Sequence, residues 1–111
     1  MELIPGQVWW ASPDAAVGRE QSGRRPVLVV SSAAYLDAVT TLVLVVPITS
    51  VNRGWPNHVQ VRGVAGLGRD SFAMSEQVRA ISRQRLDREI GVVTLECLAE
   101  VRGWLFDFLT D

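Results

Sequence analysis

At 111 residues the chain has room for one domain, spanning 1–111, built around a modest hydrophobic core. It is 48% apolar, and with one cysteine, Cys97, and one histidine, His58, it can build neither an internal disulfide framework nor a Cys/His zinc site. A net charge of −1 excludes a protein held to nucleic acid by bulk charge. Even so, nine of the eleven basic residues, every one an arginine, fall in residues 1–85 against six acids, and two fall in residues 86–111 against six.

The N-terminus, Met1-Glu2-Leu3-Ile4-Pro5-Gly6, lacks the basic start and apolar run of a signal peptide, and no segment reaches the length of a membrane span. A soluble, cytoplasmic protein with no membrane contact is expected. Gln7 to Ala11 reads as a first strand and Pro26 to Ser31 as a second, with a long loop between them. A short helical turn is predicted at Ala33 to Ala38, followed by the most strand-like segment, Thr41 to Ile48, near whose end Pro47 marks an edge or a bend. A loop from Thr49 to Pro56 leads to strand-like pieces at Asn57 to Val61, Ser71 to Gln77 and Glu89 to Val93. The period then changes. Thr94 is an N-cap candidate with Glu96 in the first turn, and Leu98, Val101, Leu105 and Phe108 form a stripe widened by Trp104. Gly103 inside this helix signals either a close backbone approach or a weak spot. Five to seven strands with one C-terminal amphipathic helix define an α+β domain, best matched by a small SH3-like β-barrel. More apolar surface than one small core hides predicts a homodimer.

The run Gly18-Arg19-Glu20-Gln21-Ser22-Gly23-Arg24-Arg25-Pro26 places three arginines and a carboxylate in a glycine-bounded loop at the entrance to the second strand. Guanidinium groups on a rigid edge suit an anion, above all a phosphate, which they hold through several fixed donors. If the second and third strands pair antiparallel, the start of one lies beside the end of the other, and Arg25 meets Thr49 and Ser50. A plain alternative remains at this level: Arg25 pairs with Glu20 across the loop and Thr49 opens a turn.

Several segments together resemble, in order and spacing, the MazF/PemK/Kid family of toxin endoribonucleases. They are Gly6-Gln7-Val8-Trp9-Trp10, the block from Gly18 through Pro26 to Ser31, Val46-Pro47-Ile48-Thr49-Ser50, Gly54-Trp55-Pro56 and Glu76-Gln77-Val78-Arg79-Ala80-Ile81. The resemblance implies a toxin of a type II toxin–antitoxin system that cuts single-stranded RNA, such as messenger RNA, at short sequences. It also implies a homodimer working without metal or cofactor and neutralised by a MazE-like antitoxin. In the family the arginine before the proline and the threonine of V-P-x-T form the catalytic pair, which fall here on Arg25 and Thr49; the loop glutamate falls on Glu20. Around that pair Arg19, Arg24, Ser50, Arg53, Trp55, Glu76 and Gln77 are the expected RNA contacts. Trp55 is the stacking candidate and Arg53 the residue that tracks the RNA backbone. A related reading, a CcdB-like toxin that binds DNA gyrase without catalysis, would have no need of the Arg25 and Thr49 pair.

The chain departs from some members at Met74-Ser75-Glu76-Gln77, where an Arg-x-Asp stands before the glutamine. Met74 supplies no charge, so Glu76 is left as a substrate contact or a structural hydrogen-bond acceptor. His58 is expected on the surface after Pro56, and Cys97 as a small buried filler. Of Trp9 and Trp10, adjacent on a strand, one should face the core and the other an interface or a base. Arg62, Arg69, Arg79, Arg83 and Arg85 are expected as solvated surface.

Overall fold

The computed structural model describes residues 2–12 and 23–111. In chain order these form β1 (Gln7–Ala11), β2 (Arg25–Val29), α1 (Ala33–Ala38), β3 (Leu42–Thr49), β4 (His58–Gln60) and β5 (Phe72–Met74). A 3-10 turn (Ser75–Gln77), β6 (Arg79–Ser82), a second 3-10 turn (Arg83–Arg85), β7 (Leu86–Val92) and α2 (Leu95–Leu109) complete them. The strands pair antiparallel in the order β4-β5-β3-β2-β1-β7, with β6 also on β3.

β3 organises the sheet because it changes partner along its length. Leu42 to Val45 pair with β6, and Ile48 and Thr49 with β5, while β2 runs along the other side. The Val30 N–H to Leu44 C=O bond of 2.9 Å sets the alternation: Leu44 and Val46 turn their backbone polar groups to β2. Pro47, which has no N–H, therefore turns its nitrogen into the gap between β6 and β5. It marks the point within a central strand where β3 changes partner.

Period-two alternation sends side chains of the same strands to two cores. Val27, Val29, Val43 and Val45 join Trp9, Leu36, Ile81 and Leu86 on one face. Leu28, Val30, Val46 and Ile48 join Val8 and the α2 residues Cys97, Leu98 and Val101 on the other. Burial on both faces explains why β2 and β3 read as unbroken apolar runs. Around the first core β6, β3, β2, β1 and β7 curl into a small SH3-like barrel. The Arg83–Arg85 turn links β6 to β7, and its backbone bonds Thr41 and Ser12, at 3.0 and 2.8 Å.

Thr94 caps α2 by accepting the Cys97 N–H at 3.1 Å. The expected stripe is buried at Leu98 and Val101 and half-buried at Trp104 and Leu105. Phe108 lies 47% exposed beside Trp104. A Cβ built on Gly103 meets nothing within 4 Å, so that glycine serves no close approach.

The strands depart from the sequence reading at three points, the first being β7, which begins at Leu86, three residues ahead of the expected Glu89. The Ser71 to Gln77 segment leaves the sheet after Met74, where the fully buried Ser75 turns its hydroxyl to donate to the Asn57 carbonyl at 2.6 Å. β6 was not predicted: of Arg79-Ala80-Ile81-Ser82 only Ile81 is buried, too few positions to show a period. No helix among the described residues is long and apolar enough to cross a membrane.

Candidate functional site

A groove of about 820 Å³ opens over the start of β2, the end of β3 and the β5–β6 connection. Among the described residues that line it are six arginines, Arg24, Arg25, Arg53, Arg69, Arg79 and Arg85, and no carboxylate. Guanidinium groups stay charged at any working pH, and a concave wall concentrates their field. Backbone pairing brings these residues together from distant parts of the sequence. Arg25 lies opposite Ala11 on β1, and Arg79 opposite Val45 on β3.

The antiparallel register pairs Val27 with Pro47, so two residues further on Arg25 falls opposite Thr49 at the open end of the β2–β3 ladder. Both side chains line the groove, as do Ser50, Arg53 and Gln77. Thr49 Oγ1 accepts the Val51 N–H at 3.1 Å, which fixes the hydroxyl and leaves its own proton to donate. The turn of the plain alternative is thus present, and it orients the hydroxyl. Arg24 also lines the groove, but its guanidinium is engaged, 3.0 Å from an Asp87 oxygen and 5.4 Å from the centre of the Trp10 ring. Arg19 and Glu20 lie outside the described residues.

Two expected RNA contacts are placed elsewhere. Glu76 stands off the groove wall with both carboxylate oxygens 3.0 Å from His58 Nε2, and Oε1 also accepts from Asn57 Nδ2 at 2.8 Å. Trp55 packs on the His58 ring, centroid to centroid 4.8 Å, and is likewise absent from the wall. His58 is therefore a buried residue, its side chain 2% exposed, and not the surface histidine expected from the neighbouring proline. Burial would raise the Glu76 carboxyl, but hydrogen bonds from His58 and from its own backbone outweigh it and hold that group below the usual carboxylate range. This cluster pins the end of the loop that carries Arg53. Burial pushes the Cys97 thiol up, and its Sγ lies 3.6 Å from the Gln60 carbonyl as an inert filler.

Arg69 and Arg79 are exposed, as expected from the sequence, and Arg85 is half-buried; all three line the groove. Arg85 also donates from Nε to the Ser12 carbonyl at 2.7 Å. Arg83 is structural: it donates to the carbonyls of Leu42, Leu36 and Val39 at 3.0, 2.6 and 3.0 Å, closing the C-terminal end of α1. Nothing short-range distinguishes these arginines; the β3–β6 pairing does. Among the described residues no group of three or more His, Cys, Asp or Glu side chains gathers to hold a metal ion.

A small curled sheet with a concave wall of arginines and an oriented hydroxyl makes this an α+β domain with a cationic groove. Comparison with known proteins narrows the class. Residues 4–109 match the model of the PemK-like, MazF-like toxins of type II toxin–antitoxin systems, and the chain belongs to that family. Endoribonuclease PemK of Escherichia coli is 51% identical, over 98% of this chain and 84% of its own length. Endoribonuclease MazF9 of Mycobacterium tuberculosis is 35% identical over 86% of each chain. Among solved structures, MazF of Deinococcus radiodurans superposes with a TM-score of 0.77 at 33% identity, covering 98% of this chain and 97% of that one. A MazE–MazF complex from the same organism gives 0.76 at 30% identity, with 98% and 96% covered.

Proposed function

We propose that this chain is a toxin endoribonuclease that cuts single-stranded RNA at short sequences without a metal, and that a MazE-like antitoxin silences it. The observation that carries the reading is the register that sets Arg25 opposite Thr49 on a wall of six arginines. The names of the related proteins support it over the gyrase-binding alternative.

In the reaction the ribose 2′-oxygen attacks the adjacent phosphorus, giving up its proton, and the bond to the 5′-oxygen of the next nucleotide breaks. The products are a 2′,3′-cyclic phosphate and a 5′-hydroxyl. The demanding state is a phosphorane with added negative charge on its non-bridging oxygens. Arg25 meets that charge with several fixed donors, and preorganised donors of this kind contribute about 2.7–4 kcal/mol each. Thr49, its hydroxyl held by the Val51 N–H, donates to a non-bridging oxygen. Glu20 takes the 2′-hydroxyl proton; arginine, with a pKa above about 12, cannot serve as that base. Arg25 hydrogen-bonds the departing 5′-oxygen, which takes its proton from water.

The same cationic wall suits the acidic, apolar segment of an antitoxin, so RNA and antitoxin compete for it. Phe106, Phe108 and Leu109 at the end of α2, 66%, 47% and 85% exposed, support a homodimer that covers them.

The test is cleavage of single-stranded RNA by the purified protein in excess EDTA, with product ends identified and 5′ ends sequenced to give the cleavage motif. Cyclic phosphate termini in EDTA are expected. Activity that returns only with added metal, or gyrase poisoning with intact RNA, would reject the proposal.

A further inference from the structure

Trp10 is the only aromatic side chain among the described residues that line the groove. Trp9 fills the barrel core, whereas Trp10 points the other way and is half-buried. It pairs across the ladder with Pro26, next to Arg25. Its face is covered by the Arg24 guanidinium, 5.4 Å from the ring centre, within cation–π range. That guanidinium is tied to Asp87, 3.0 Å away.

Asp87 is available for this because of a bulge. The β1–β7 ladder pairs Trp10 with Arg88 and Ala11 with Leu86, so Asp87 is an extra residue with no opposite number. Bulges bend a strand and re-aim a side chain, and they gather beside functional sites. The Arg24–Asp87 pair is 43% and 51% exposed, and pairs that open to water add little to stability. A bulge that serves so weak a bond is better explained by what the bond holds in place.

We propose that the Trp10 indole is a stacking platform for one unpaired nucleobase beside the scissile phosphate, closed in the free protein by Arg24 with Asp87 as its latch. This rests on reading the groove as a single-stranded RNA site. A base and a guanidinium compete for the same π-face, since both stack on an indole. When the base takes the face, Arg24 swings off and finds a phosphate within the groove, whose charge replaces that of Asp87. Trp55, the stacking residue expected from sequence, lies off the wall, half exposed and in tilted contact with His58.

The experiment uses an RNA oligonucleotide carrying the protein's cleavage motif, with a 2′-deoxy substitution at the scissile nucleotide so that it binds uncut. Abasic nucleotides are introduced one position at a time, and cleavage of the all-ribose version is measured in parallel. In wild type an abasic site beside the scissile phosphate is expected to weaken binding about tenfold, the usual size of one base–aromatic stack. Trp10→Leu should lose a similar factor with the intact oligonucleotide and show no further penalty at that position, while Trp10→Phe, which keeps a ring, retains the penalty. Asp87→Asn, a change at an exposed position that leaves the core untouched, should tighten binding several-fold by releasing the latch. An equal abasic penalty in wild type and Trp10→Leu, or a flat profile in wild type that nevertheless cleaves, overturns the platform and leaves the nuclease reading standing. Unchanged binding by Asp87→Asn overturns the latch. Failure of wild type to cleave the all-ribose RNA overturns both readings.

Discussion

Arg25 and Thr49 face each other two positions beyond the Val27–Pro47 pair, at the point where β2 and β3 stop bonding and the groove begins. The pairing that stabilises the sheet runs out where the groove begins, so both residues stand on strand backbone and line its opening.

Removing either should cost activity without costing the fold. Arg25→Ala should lower the single-turnover cleavage rate by about a hundredfold or more, and Thr49→Val by less, since a neutral donor stabilises developing charge less well. Both variants should melt close to wild type, because Arg25 is exposed and Thr49 half-buried outside the two cores. Rates on a defined RNA, read beside thermal melts, check this; a wild-type rate in Arg25→Ala would remove it from the site.

The arginine wall predicts a strong salt dependence of RNA binding. Each phosphate neutralised on a single strand contributes about −0.7 to the slope of log K against log salt. Arg69→Ala and Arg79→Ala should each flatten the slope by about that amount and weaken all sequences alike. Binding of two unrelated oligonucleotides across a salt series measures it, and an unchanged slope would place that arginine outside the RNA path.

The Glu76–His58 pair predicts an acid-side loss of stability. The Glu76 carboxyl is held below its ordinary range in the folded state, so its contribution is fully present above that range and fades as pH falls through the lower folded value. Glu76→Gln should cost about 1–2 kcal/mol at neutral pH, from hydrogen bonds to a charged acceptor, and the gap to wild type should narrow in acid. Urea melts of both proteins across the acid range test it; parallel pH profiles would show that the pair does not set this dependence.

Gly103 offers the opposite effect. Its position in the middle of α2 has open space where a Cβ would sit, so Gly103→Ala should stabilise the protein by about 1 kcal/mol. The gain is visible as a raised Tm. A lowered one would mean that this side of α2 is covered in the assembled protein.

Much of this was legible in the sequence because it rests on local rules. The bounds of β1 and α1, the Thr94 cap and the apolar runs of β2 and β3 follow from period, capping chemistry and β-branched composition. The facing of Arg25 and Thr49 followed from one topological assumption, that β2 and β3 are antiparallel. The family motifs then separated Arg25 from its neighbours in the loop.

Other features lay beyond any local rule. That His58 is buried on Glu76, that Arg83 closes α1 across more than forty residues of sequence, and that Arg69 and Arg79 share a wall with Arg25 depend on which strands meet. An arginine's neighbours in sequence do not reveal whether it faces water, a carbonyl cage or a groove, because its long side chain takes its partners from whatever packs beside it. The sequence determined where β1, β2, β3 and α2 run and singled out Arg25 and Thr49 as candidates for the chemistry. Tertiary pairing at β3 and the bulge at Asp87 decided which charges join that pair and which are held elsewhere.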